Sequence, residues 1–171
     1  MLTAMNVLET KRLVLREFTR DDAAFILELV NEPGWKKYIG DRGINTLEDA
    51  LGYIEKVPLA SYEKHGFGLW AMELKDDGSL VGMCGLIKRD TLEDVDIGFA
   101  LLSKAEGRGY AREAANATLE FARDRLGLRR IVAITTQDNE RSGMLLERTG
   151  MSYEGPISQG GETLRLYAIE L

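Results

Sequence analysis

A chain of 171 residues has room for one domain with a sizeable core and is short for two. Its 44% hydrophobic and 29% charged residues are the balance of an ordinary soluble globular protein, and no apolar run reaches the length of a membrane span. The net charge of −6 lacks the basic footprint that nonspecific nucleic-acid binding requires.

The N-terminal stretch "MLTAMNVLETKRLVLRE" places charges where a secretion signal needs its apolar segment, so no such signal is expected. The one cysteine, Cys84, cannot form an internal disulfide, which suits a reducing, cytoplasmic setting. It lies in an apolar run between Met83 and Gly85 and reads as a buried, inert thiol.

In chain order, "RLVLREF" (Arg12–Phe18) alternates as a half-buried strand does. Thr19 with Asp22 three residues on resembles a capping box, and Ala23, Ile26, Leu27 and Val30 recur at helical spacing before Pro33-Gly34 ends the helix. "NTLEDALGYIEK" predicts a second helix capped by Asn45 or Thr46, with Leu47, Ala50, Leu51 and Ile54 inward and Pro58 breaking or bending it. The period then becomes strand-like. Phe67–Leu74, the turn "KDDGS" and Leu80–Ile87 read as a hairpin, and Val95–Leu102 as a further strand with Gly98 inside it. "YAREAANATLEFARDRLG" is a helix ended by Gly127, with Ala111, Ala115, Leu119, Ala122 and Leu126 as its buried stripe. Arg129–Gln137 is a mostly buried strand, Asn139–Gly150 a short helix, and Thr163–Leu171 a closing strand. There is no repeat, low-complexity tract or interdomain linker, so residues 1–171 are expected to form a single α/β domain.

Between the strand and the helix stands "SKAEGRGYA". Glycine is costly in regular structure, and Gly107 and Gly109 predict a backbone brought close to a ligand. At a helix N-terminus several amides lack intrahelical partners and the dipole favours negative charge, so the amides of Gly107 to Ala111 suit a phosphate, with Lys104 and Arg108 adding charge. From Lys104 to Arg130 there are seven basic and four acidic residues, a balance of +3 that leaves −9 for the remainder. Positive charge thus collects around the turn, and the acidic remainder suits a cationic substrate. Arg123, Arg125, Arg129 and Arg130 read as a solvated face. Two familiar nucleotide motifs fail: a dinucleotide fingerprint needs glycine where Arg112 stands, and no P-loop run exists.

Lys104-Ala105-Glu106-Gly107-Arg108-Gly109 resembles motif A of the GNAT superfamily of N-acetyltransferases, [QR]-x-x-G-x-[GA], with Lys in place of Gln or Arg. The resemblance extends over nearly the whole chain. "LETKRLVLREFTRDDA" is similar to the opening of the subgroup containing ribosomal-protein N-terminal acetyltransferases, and "GLWAMELKDDGSLVGMCGL" to its second and third strands. "DIGFALLSKAEGRGYAREA" and "DNERSGMLLERTGM" resemble its cofactor turn and its N-x-x-S helix.

The resemblance implies a mixed, mostly antiparallel sheet with helices on both faces and a splayed parallel pair, here Val95–Leu102 and Arg129–Gln137. The pantetheine arm of acetyl-CoA would pair with the backbone of Phe99, Ala100, Leu101 and Leu102. Its pyrophosphate would sit on Gly107, Arg108, Gly109, Tyr110 and Ala111, near Lys104. The implied reaction is direct attack of a primary amine on the thioester, with no covalent enzyme intermediate and no catalytic cysteine. Asp96 takes the place of a glutamate that relatives often carry in this strand and is the candidate base. An exposed carboxylate beside Glu93 and Asp94 is the competing reading. Neighbouring carboxylates would raise one another's pKa, which suits a base.

For the acid, many members use a tyrosine four residues before the glycine that ends the last helix, and here that position is Leu146. The N-x-x-S pattern instead offers Ser142, as hydrogen-bond donor to the departing sulfur or as part of a helix N-terminus, and Asn139 as both cap and cofactor contact. Tyr153 reads as a packing tyrosine. Trp35 and Tyr38 are the candidate acceptor contacts, while Trp70 reads as core. Glu93, Asp94 and the loop "IGDRG" would attract a cationic acceptor. His65 has no partner at metal spacing, so no metal site is expected.

Three function classes remain. The first is an acetyl-CoA-dependent N-acetyltransferase acting on a protein N-terminus or a small amine, as monomer or homodimer. The second is a noncatalytic acyl-CoA-binding module on the same fold, left open by Lys104, Asp96 and Leu146. The third is a nucleotide-binding regulator, which the failed motifs disfavour.

Overall fold

Apolar alternation builds the middle of the sheet and fails at its edges. The computed structural model describes residues 5–171; the first four residues of the segment read as lacking a secretion signal lie outside the described residues. Strands β1 (Asn6–Glu9), β2 (Leu13–Arg16), β3 (Leu69–Leu74), β4 (Leu80–Ile87), β5 (Asp96–Leu101), β6 (Arg130–Thr136), β7 (Ser152–Gln159) and β8 (Glu162–Glu170) form one sheet in the order β1-β2-β3-β4-β5-β6-β8-β7. Every neighbouring pair is antiparallel except β5 and β6. The two strands with no clear sequence signal, β1 and β7, are the outer strands. An outer strand carries little core-facing apolar residue, and β7 tolerates Pro156 because one side of its ladder is free.

Helices cover both faces. On one, α5 (Tyr110–Asp124) and α6 (Glu140–Arg148) pack on Trp70, Cys84 and Leu86, and the fully buried Ala114, Ala115 and Ala122 let α5 approach the strands closely. Trp70 is core, as expected, and meets Phe121 edge-on at 5.3 Å. Cys84 is fully buried against Thr118, and burial pushes its thiol up to about 12, so it carries no thiolate at neutral pH.

On the other face lie α1 (Ala23–Val30), α2 (Pro33–Tyr38) and α3 (Leu47–Ile54), over Leu69, Ala71 and Met83, while α4 (Ala60–His65) follows α3 with its Tyr62 hydroxyl donating to the Leu69 carbonyl. Three details differ from expectation. The Thr19–Asp22 capping box closes a short 3-10 turn ahead of α1, and Pro33 opens α2, where its missing N–H costs nothing. Leu47 is 55% exposed, so Ala50, Tyr53 and Ile54 form the buried stripe of α3. Pro58 does not break the chain: a π-helical turn over Glu55–Leu59 widens the helix around it, and the chain runs on into α4. His65 stacks on Phe67 with ring centroids 5.6 Å apart, and no cluster of metal-ligating side chains occurs among the described residues.

Gly143 in α6 has a packing reason. A Cβ there would lie 2.5 Å from the hydroxyl oxygen of Tyr167, a buried residue of β8 that accepts from Arg165 Nε. Gly143→Ala is therefore expected to destabilise the fold by about 1–3 kcal/mol despite its better helix propensity. Tyr167→Phe, which removes the colliding atom, should recover part of that loss in a double-mutant cycle read by thermal unfolding.

Candidate active site

The turn before α5 takes the form its glycines predict. Gly107 and Gly109 have φ of 78° and 82°, left-handed values that side chains resist. Gly109 caps α5 with no side-chain acceptor, so the first amides of the helix keep their hydrogen-bonding capacity. The turn is clamped from outside. Arg12 donates to the carbonyl of Arg108 at 2.9 Å and to Glu113 at 2.8 Å, and lies 4.5 Å from the centre of the Tyr110 ring.

Below the turn the sheet opens. β5 and β6 are in register only at Asp96 and Val132, with the Val132 amide bonded to the Val95 carbonyl at 3.1 Å. On its other edge β5 pairs with β4 along its full length, and the Leu102 amide donates to the Val81 carbonyl at 2.9 Å. By strand alternation, the C=O of Ile97 and the N–H and C=O of Phe99 and Leu101 point away from β4, into the gap beyond the single bridge to Val132. They form a strand edge inside a sheet, able to pair with an extended amide-bearing ligand. A cleft of about 650 Å3 fills this gap and runs from the turn to the layer of α2 and α3, a size suited to a cofactor and a small substrate.

Asp96 stands where the gap closes. It is 1% exposed, which removes the reading of an exposed carboxylate. Arg89 Nε donates to its Oδ2 at 2.7 Å, and Oδ1 has no donor among the described residues. Burial raises its pKa, opposed by Arg89 and Lys88. The cause is thus desolvation rather than neighbouring carboxylates, since Asp94 is ion-paired with Arg130 at 3.1 Å. Gly98 follows on the same face of β5, where a Cβ would meet Ile87 at 3.2 Å, so its bare backbone keeps the passage beside Asp96 open.

The opposite wall comes from α6. Asn139 caps the helix by accepting from the Ser142 amide at 3.3 Å, so its capping role is shown. Ser142 lies in the first turn and lines the cleft. Leu146 is buried in the core beneath them at 1% exposure. Tyr153 lies outside the cleft, with Arg165 stacked 3.9 Å from its ring centre.

Among the residues expected to face a cofactor, Phe99, Ala100, Leu101, Gly107, Gly109, Tyr110, Ala111, Asn139 and Ser142 line this one cleft, as do Asp96, Trp35 and Tyr38. Leu102, Lys104 and Arg108 do not. Leu102 is buried on the helix layer of α1 and α3 with its amide spent on Val81, Lys104 points outward 3.8 Å from Glu28, and Arg108 is exposed beyond the turn.

The cations that do line the cleft near the turn are Arg112, Arg141 and Arg148, on α5 and α6. Their spacing along helices beside the glycine turn was the available signal for them. None of the acids expected to attract a cationic acceptor, Glu93, Asp94 and Asp41, lines the cleft. Asp94 pairs with Arg130, Asp41 accepts from the Gly43 amide at 2.9 Å, and Arg42 is the loop's charged contribution to the cleft. The carboxylates that line it, Glu32, Asp96 and Glu106, are bonded to Ser103, Arg89 and Arg141 respectively.

The comparisons with known proteins agree with this architecture. The family model described as Acetyltransferase (GNAT) domain matches residues 12–152. The uncharacterised N-acetyltransferase YoaA of Bacillus subtilis (strain 168) is 30% identical over 154 residues, covering 90% of this chain and 86% of YoaA. A GNAT-family acetyltransferase from Bacillus anthracis superimposes with a TM-score of 0.79 at 28% identity, over 98% of each chain. The ribosomal L7/L12 α-N-protein acetyltransferase RimL, solved with coenzyme A, has a TM-score of 0.83 over 97% of this chain and 98% of its own, and at 16% identity shares the fold. A sheet split at one parallel pair, a glycine turn ahead of an uncapped helix and a match over most of the chain converge: this protein belongs to the GNAT family of acetyltransferases.

Proposed function

We propose that the chain transfers an acetyl group from acetyl-CoA to a primary amine by direct attack. The carrying observation is the unpaired inner edge of β5 leading straight into the uncapped N-terminus of α5. An extended chain with two amides suits the first, and a pyrophosphate the second. The backbone of Phe99 and Leu101 would hold the pantetheine arm, the amides of Gly107 to Ala111 the pyrophosphate, and Arg112, Arg141 and Arg148 add positive charge nearby. Coenzyme A in the RimL complex supports this reading. Once bound, acetyl-CoA supplies an acyl group activated as a thioester.

The chain's own residues then have three tasks. An ammonium is no nucleophile, so Asp96 takes its proton, directly or through one water, on the free Oδ1. Its raised pKa makes it a better acceptor near neutrality than an ordinary aspartate. Arg89 on Oδ2 keeps the carboxylate oriented and limits that rise. The inner amides of β5 polarise the carbonyl that develops negative charge. Ser142, across the gap, donates to the departing sulfur.

Leu146, where many relatives have a tyrosine, favours one second reading, a binder without turnover. Thermal unfolding with acetyl-CoA, desulfo-CoA and ATP tests the first point. Ligand at about 100 times its dissociation constant should add roughly 2.7 kcal/mol for both CoA species and nothing for ATP. Thiol release across an amine panel then separates transferase from binder. Absence of any CoA-dependent shift overturns both.

A further inference from the structure

We propose that the acceptor end of the cleft selects a small amine that also bears a carboxylate or phosphate, held by Arg42 and Arg89 beside Tyr53. The inference rests on the acetyltransferase reading and names its acceptor class. Both arginines line the cleft on the face covered by α2 and α3, together with Trp35, Tyr53 and Asp96. Arg42 lies 5.8 Å from the centre of the Tyr53 ring and has no carboxylate partner among the described residues. Arg89 spends only Nε on Asp96, leaving its terminal nitrogens without an acceptor among the described residues. Burial pushes the Tyr53 phenol up, and the charges of Arg42 and Arg89 pull it back.

A second, independent observation lies in the same wall. Trp35 is 5% exposed, and its buried Nε1 donates to nothing. A buried donor without a partner is costly, and an oxygen of a bound ligand would relieve it. The donors lining this end are thus the terminal nitrogens of Arg89, the fork of Arg42 and the Tyr53 hydroxyl, a set matched to an oxyanion. One carboxylate, Asp96, is left for the amine. Two arginines against one aspartate repel a polyamine and receive a zwitterion or an amino phosphate.

The test uses the full chain, saturating acetyl-CoA and matched acceptors: an amino acid against its carboxamide, phosphoethanolamine against ethanolamine, and spermidine as the cationic comparison. The anionic member of at least one pair should have a kcat/KM about tenfold to a hundredfold higher, carried by KM. Which pair responds separates carboxylate from phosphate. Arg42→Gln should raise KM for the anionic member far more than for its neutral partner, with Arg42→Lys recovering part. An intact acetyl-CoA thermal shift in both variants shows that they fold. Equal use of neutral and anionic amines, preference for spermidine, or an Arg42→Gln effect equal on both members overturns the inference while acetyl-CoA binding and turnover still stand. A wild-type chain that neither binds acetyl-CoA nor releases thiol overturns the underlying reading with it.

Discussion

Gly109→Val should cut the thermal stabilisation by acetyl-CoA by about half or more while leaving a folded protein. The residue sits at φ 82°, and a β-branched side chain there costs about 1–2 kcal/mol and drives the turn towards another conformation. The amides that open α5 then no longer converge, and affinity for acetyl-CoA should fall at least about tenfold. Gly127→Val is the matched comparison. Gly127 is also left-handed, at φ 66°, but follows the C-terminal end of the same helix. Both variants should lose similar stability without ligand, and only Gly109→Val should show the reduced response. A full acetyl-CoA shift in Gly109→Val would show that the turn does not carry the phosphate.

Asp96→Asn should lower kcat by about 10²–10⁴ at neutral pH with acetyl-CoA binding retained, the range expected for removing a positioned general base. The pH profile carries the sign. Burial raises the Asp96 pKa, so the active carboxylate form is lost earlier on acidification than it would be for an exposed aspartate. The wild-type kcat should rise with pH through an acid limb above the ordinary aspartate value of about 3.9, and Asp96→Asn should lose that limb. A variant that keeps kcat and its acid limb but raises the KM for anionic amines would instead make Asp96 the residue that holds Arg89 in place.

Most of the frame was legible because its causes are local. The apolar run of Leu80–Ile87 needs covering on both faces, and it became a central strand between two helix layers. The alanine stripe of α5 announced close packing, and Gly107 and Gly109 announced a left-handed turn whatever surrounds them. Asn45 or Thr46, and Asn139, read as helix caps, and Thr46 and Asn139 each accept the amide three residues on, while the Thr19 hydroxyl takes the Asp21 amide in the turn ahead of α1.

The site was less legible because it depends on partners far apart in the chain. Asp96 sits beside Glu93 and Asp94, and nothing in that run tells which carboxylate is buried. β5 begins at Asp96 and turns it under α2 and α3, while Asp94, in the bend before the strand, reaches Arg130. The "IGDRG" loop carries one acid and one base, and only its folding turns Asp41 back on its own backbone and leaves Arg42 for the cleft. Leu102, Lys104 and Arg108 adjoin residues that line the gap, yet one strand step or the outward side of the turn takes them away from it.

Glycine conformation, apolar period and capping chemistry act within a few residues, so the order of elements, the turn and the family resemblance could be read from the chain alone. Which carboxylate loses its water, which arginine faces the cleft and where β5 and β6 part are set by contacts between segments dozens of residues apart. Desolvation and charge pairing are properties of that packing, and only the tertiary structure could assign them.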